Sequence, residues 1–173
     1  MSPLDVSFRV NGRAARIAVE PWTPLLEALR ELGLWSVKRG CETGDCGVCA
    51  VLVDGVPRNT CILPAVQIEA RTLTTVEALG RRGELHPLQE AFLQRGAIQC
   101  GFCTPAILLC AKALLDRTPR PAEPEVRRAL GSVLCRCTGY VKPVQAVLEA
   151  SEKLSRPAAR PKSGGSSRSR RRR

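Results

Sequence analysis

The sequence predicts an α+β chain, a small sheet crossed by a helix and then a four-helix unit, on three observations. Apolar–polar alternation broken by tight-turn dipeptides dominates residues 1–75. From about Val76 the apolar period becomes helical and stays so. Nine cysteines fall into one group in each half, with one cysteine left over. Aromatic residues are only 3% of the chain, so few large rings are available to two cores. Metal binding coupled to folding is an established supplement in small domains.

Val6 to Val10 and Ala15 to Val19 alternate around Asn11-Gly12, which accepts the positive φ angles of a hairpin turn. Thr23 is placed to cap a helix with Pro24 at its first position, and Leu25, Ala28, Leu29 and Leu32 share one face before Gly33. Cys49 to Val53 with Asp54-Gly55 predicts a second hairpin, and Val66 to Leu73 a further strand. Four amphipathic helices follow: Leu88 to Arg95, Pro105 to Asp116, Glu123 to Leu130 and Val141 to Leu154. Short connections between them favour a bundle. Residues 76–85, with Gly80-Arg81-Arg82-Gly83, form the expected linker between units 1–75 and 86–155. Residues 156–173 lack apolar periodicity and are expected to be a disordered basic tail.

The net charge is +11, but eight basic residues and no acidic ones lie from Arg156 onward, which leaves +3 for the preceding residues. The tail is therefore read as a solvated extension; a nucleic-acid arm is the alternative. The N-terminus has no basic stretch followed by a long apolar run, and no later run is long enough to span a bilayer. A cytoplasmic, reducing setting is expected, in which nine thiols, an odd number, point to metal ligation more than to a disulfide framework.

Cys41, Cys46 and Cys49 with the distant Cys61 have the C-x4-C-x2-C spacing of plant-type [2Fe–2S] sites. The loop GCETGDCGVC supplies Gly40, Gly44 and Gly47, which let backbone N–H groups approach sulfur without Cβ obstruction. A zinc knot is the alternative, although zinc favours two short cysteine pairs. A Rieske centre needs two histidines, and the chain has only His86, read as a capping or packing residue before Pro87.

Cys100 and Cys103, with Cys135 and Cys137, form two short pairs for which zinc is a serious rival. Each pair precedes a predicted helix, and two helix N-termini converging on one site favour an anionic iron–sulfur core. Cys110, inside AILLCAKALL, is assigned to the apolar core. No catalytic Ser-His or Cys-His group and no Walker-type phosphate loop is present, so no catalytic residue is assigned.

The stretches SVKRGCETGDCGVCAVLVDG, AIQCGFCTPA and LCRCTGYVKPVQAV resemble the small iron–sulfur subunits of the molybdenum hydroxylases, the xanthine dehydrogenase and aldehyde oxidase family, over about residues 5–154. The resemblance implies a β-grasp ferredoxin-like domain followed by a four-helix-bundle domain, with one [2Fe–2S] cluster in each. It implies a non-catalytic electron-transfer subunit, passing electrons from a molybdopterin-binding large subunit to FAD on a medium subunit or to another acceptor. It places the helical-domain cluster nearer molybdenum, with Gln99 hydrogen-bonded to the pterin and Cys137 near the pterin edge as well as on the cluster. Its substrate lean is xanthine or another purine, with aldehydes and N-heterocycles as alternatives. Ala106 stands where the family usually has glycine, and the 131–134 segment is slightly longer than the common form. A freestanding redox carrier with the same clusters is the competing reading.

Overall fold

The computed structural model of the chain describes residues 2–80 and 83–155. The expected tail and Arg81-Arg82 of the expected linker lie outside the described residues. Strands β1 (Leu4–Val10) and β2 (Arg13–Val19) pair antiparallel, with Val10 opposite Arg13. That register leaves Asn11 and Gly12 as a two-residue turn, both at positive φ (52° and 81°).

Helix α1 (Leu25–Glu31) starts one residue later than expected and carries no side-chain cap. Pro24 holds the cap position in extended geometry, and the helix's free N–H groups find backbone acceptors from another segment. Leu25 N–H donates to the Leu63 carbonyl (2.7 Å) and Leu26 N–H to the Thr60 carbonyl (3.0 Å). Tertiary contact replaces Thr23 as the cap. It also pins both sides of Cys61 against the helix end.

Strands β3 (Ala50–Val53) and β4 (Val56–Asn59) form the second hairpin around Asp54-Gly55. The strand expected over Val66 to Leu73 is mostly absent. Pro64 opens a 3-10 turn, Ala65–Ile68, which buries Ala65 and Ile68 on one side. Ala70 then reverses the chain at φ 58°, and only β5 (Thr72–Thr74) joins the sheet. Val66, Ile68 and Ala70 alternate as in a strand, while Ala65 and Ile68, three apart, share one face of a helical turn, and the proline decided between them. The sheet order is β2-β1-β5-β3-β4, with β1 and β5 parallel and the other pairs antiparallel.

Successive side chains of a strand point to opposite faces. On one face Val6, Phe8, Val51 and Leu73 pack with Leu25, Leu26 and Leu29 of α1. On the other, Ala50 and Leu52 join the core of the helical half. That half comprises α2 (Pro87–Gln94), α3 (Thr104–Arg117), α4 (Glu123–Leu130) and α5 (Val141–Ser155). His86 caps α2: its Nδ1 accepts from Leu88 N–H (3.2 Å), while Gln89 Oε1 accepts from His86 N–H (2.9 Å). Helix α3 packs on β3 as well as on the other helices, so Cys110 is buried with its neighbours Leu109 and Ala111. The architecture is the α+β arrangement of sheet unit and four-helix unit expected.

Candidate metal centres

The first group sits on the irregular loop between α1 and β3, with Cys61 beyond β4. Thr43 N–H and Cys46 N–H both donate to Cys41 Sγ at 3.4 Å. The Thr43 hydroxyl first, then these N–H groups and the Cys46 thiol, pull the Cys41 thiol down to about 6. Burial and a hydrogen bond with the Cys49 thiol push Cys61 up to about 11. Cys41 is thus paired with Cys46, and Cys49 with Cys61.

The glycines of this loop make room for different things. A Cβ on Gly40 would lie 2.7 Å from Cys46 Sγ, so this position holds open the space of a thiol. At Gly47, with φ +68°, a Cβ would lie 2.0 Å from the Ser132 carbonyl oxygen. The third glycine therefore admits the backbone of the helical half, not a sulfur. Beside that contact, Leu134 N–H donates to the Cys46 carbonyl at 2.8 Å. A peptide adjoining Cys135 is bonded directly to a residue of the first group.

The second group pairs as Cys100 with Cys137, whose sulfurs are 3.7 Å apart, and Cys103 with Cys135. Burial, then the hydrogen bond with Cys135, pushes the Cys103 thiol up to about 12. Burial raises Cys135 as well, but the Thr138 hydroxyl and N–H overcome it and bring the thiol down to about 7. Thr138 Oγ1 lies 3.1 Å and Thr138 N 3.5 Å from Cys135 Sγ. Cys103 holds the cap position of α3, as expected of a pair at a helix start. Helix α5 begins only at Val141, and between it and Cys137 the chain makes a tight turn through Tyr140. Tyr140 is at φ 65°, a conformation costing an aromatic residue about 1–3 kcal/mol.

Sequence reasoning missed Tyr140 and Thr138. The Tyr140 hydroxyl accepts from Cys135 N–H (2.7 Å) and donates to the Val133 carbonyl (3.0 Å). The signal available was the chain's single tyrosine standing in CTGY. Gln99, Cys100 and Cys137 are exposed, and so are the apolar Phe102, Leu134 and Val141. Cys110 is 5% exposed in the core, and burial raises its thiol.

Among the described residues, no three His, Cys, Asp or Glu side chains are drawn together as a single metal ion requires. A binuclear core takes two thiolates on each iron, and thiols in pairs are what the chain presents. N–H donors aimed at Cys41 and Cys135, and space held open at Cys46, fit a group whose sulfurs carry negative charge.

Two family descriptions match the chain: "2Fe-2S iron-sulfur cluster binding domain" over residues 8–75 and "[2Fe-2S] binding domain" over residues 75–148. The nicotinate dehydrogenase small FeS subunit of Eubacterium barkeri is 45% identical over 90% of this chain and 99% of its own length. The xanthine dehydrogenase iron-sulfur-binding subunit of Escherichia coli O157:H7 is 41% identical over 86% of this chain and 95% of its own length. Quinoline 2-oxidoreductase from Pseudomonas putida 86 superposes with a TM-score of 0.84 at 40% identity, covering 88% of this chain and 96% of that one. The aldehyde oxidoreductase from Desulfovibrio desulfuricans gives 0.83 at 44% identity over 87% of this chain, which corresponds to 17% of that longer chain.

Proposed function

The chain belongs to the small iron–sulfur subunits of the molybdenum hydroxylases, carries two [2Fe–2S] clusters and works with larger partner subunits; on that premise we propose which residues hold and connect the clusters. Cys41, Cys46, Cys49 and Cys61 hold one cluster, and Cys100, Cys103, Cys135 and Cys137 the other. Each iron is assigned one thiol pair: Cys41 with Cys46, Cys49 with Cys61, Cys100 with Cys137 and Cys103 with Cys135. When bound, each cluster supplies a one-electron reservoir.

The chain performs no bond chemistry; it is the non-catalytic subunit of an oxidoreductase. Its own residues control access and connection. Exposed Gln99, Cys100 and Cys137, with the exposed apolar Phe102, Leu134 and Val141, are proposed to meet the molybdopterin-binding subunit. Gln99 would offer an amide donor and acceptor to the pterin there, and Cys137 would be the cluster ligand nearest to it. The two cysteine groups are joined by the Leu134 N–H bond to the Cys46 carbonyl, the observation that carries this reading. Thr43 N–H and Cys46 N–H offset negative charge on Cys41 and favour electron uptake at the first group. The onward acceptor is proposed to be FAD on a medium subunit.

No helix among the described residues is long and apolar enough to cross a membrane. The reading places the complex in the cytoplasm, where thiols stay reduced until they bind iron. For substrate, the relatives named for nicotinate, xanthine and quinoline share a ring nitrogen, and an aza-aromatic compound, purines included, is proposed. Anaerobic addition of xanthine, nicotinate, quinoline and an aldehyde to the isolated native complex tests both partner and substrate. The reading expects cluster absorption to bleach with a ring-nitrogen substrate; bleaching by the aldehyde alone contradicts the substrate class, and a chain isolated without a molybdopterin subunit contradicts the partner.

A further inference from the structure

We propose that Tyr140 is a positioning residue for electron passage between the two cysteine groups, acting through the peptide that links Val133 to Leu134. The C=O and N–H ends of that one peptide make bonds in opposite directions. Its carbonyl, on Val133, accepts from the Tyr140 hydroxyl at 3.0 Å. Its N–H, on Leu134, donates to the Cys46 carbonyl at 2.8 Å. A donor at the carbonyl polarises the amide and strengthens the bond its N–H gives. The same hydroxyl accepts from Cys135 N–H at 2.7 Å, so it grips the peptides on both sides of Leu134.

The chain between the groups is therefore short and continuous: Cys135 backbone, Leu134 N–H, Cys46 carbonyl, Cys46 side chain. The Leu134 side chain is 59% exposed, so its own packing does little to aim the Leu134 N–H, while Val133 before it is fully buried in the helical core. Tyr140 is held in a left-handed conformation that few aromatic residues adopt, at φ 65°. Thr138 Oγ1 accepts from Tyr140 N–H at 3.3 Å and keeps the turn that aims the ring. On the other side of the junction, Gly47 alone leaves space for the approaching Ser132 carbonyl. One electron crosses this junction from the second group to the first; no bond forms or breaks, and the hydroxyl keeps its proton.

The inference rests on the cluster assignment above, and its test separates the two. Tyr140→Phe, in the assembled holo complex, removes one hydroxyl. Iron content and the paramagnetic signals of the reduced clusters report the assignment, hydrogen exchange at the Leu134 amide reports the bridge, and freeze-quench equilibration between the two signals reports electron passage. The expected result is both signals at full intensity, the Leu134 amide exchanging about fivefold faster, matching about 1 kcal/mol for one neutral hydrogen bond, and slower equilibration with unchanged reduction of the second-group signal. Equilibration at the wild-type rate, or loss of the second-group signal with the first intact, overturns the inference; absence of both signals from the wild type overturns the assignment instead. 3-Fluorotyrosine at position 140 serves as a second variant that preserves shape. Its more acidic hydroxyl is a stronger donor, so the Leu134 amide should exchange more slowly than in wild type, and exchange at the wild-type rate or faster counts against the relay.

Discussion

The contact between the two halves makes Gly47→Ala and Gly12→Ala a matched pair. Both glycines are left-handed, at φ +68° and +81°, and each substitution incurs the penalty of about 1–2 kcal/mol for an L residue in that conformation. Their surroundings differ. A Cβ at Gly12 meets nothing within 4 Å, whereas at Gly47 it meets the Ser132 carbonyl oxygen at 2.0 Å and Val133 Cα at 3.1 Å. Backbone cannot swing aside as a long side chain can. The halves must separate locally by more than an ångström, which breaks the Leu134–Cys46 bond and leaves its groups unpaired at about 1–3 kcal/mol. Gly47→Ala should therefore cost about 2–5 kcal/mol in total, against about 1–2 for Gly12→Ala. Denaturant midpoints of the iron-loaded chain, compared at equal iron content, read the difference. Equal midpoints for the two variants would refute the reasoning, because the strain they share would then be the whole effect.

Three further outcomes follow from particular side chains. Cys110→Ala should leave iron content unchanged while costing about 1 kcal/mol for the lost sulfur contacts, checked by iron analysis and urea unfolding. Burial, with Lys112 nearby, lowers the His86 pKa, and its neutral Nδ1 accepts the α2 cap bond. The folded state thus binds fewer protons than the unfolded chain, so stability is fully present above the unfolded value of about 6.5 and declines as pH falls from there through the lower folded value. His86→Ala should lose about 1 kcal/mol at pH 7 and flatten that decline, read by urea unfolding at pH 7 and pH 5.5. Cys41→Ser should abolish one paramagnetic signal of the reduced protein and Cys100→Ser the other; loss of both from either change would contradict separate sites.

The two hairpins and the helices were legible because each depends on neighbours in sequence. Asn11-Gly12 and Asp54-Gly55 carry their turns in their own residue types, and Cys41, Cys46 and Cys49 share one loop. What escaped depended on segments distant in sequence. The acceptors capping α1 come from Thr60 and Leu63, which no local pattern connects to Leu25. The Val66 to Leu73 run was ambiguous in period, and Pro64 and Ala70 resolved it against a strand. Gly47 was visible as a glycine, but its neighbour, the Ser132 backbone, exists only once the halves dock. Tyr140 and Thr138 act through hydrogen bonds to backbone and sulfur, which alternation and spacing do not encode.

The central claim is that two four-cysteine groups each hold a [2Fe–2S] cluster in one connected body. Iron, acid-labile sulfide and zinc analysis of the purified complex's small subunit, with electron paramagnetic resonance after reduction, tests it most directly. The account predicts about four iron and four sulfide per chain and two distinct signals. About two iron with stoichiometric zinc and a single signal would contradict it, and would return Cys100, Cys103, Cys135 and Cys137 to the zinc site that their spacing alone allows.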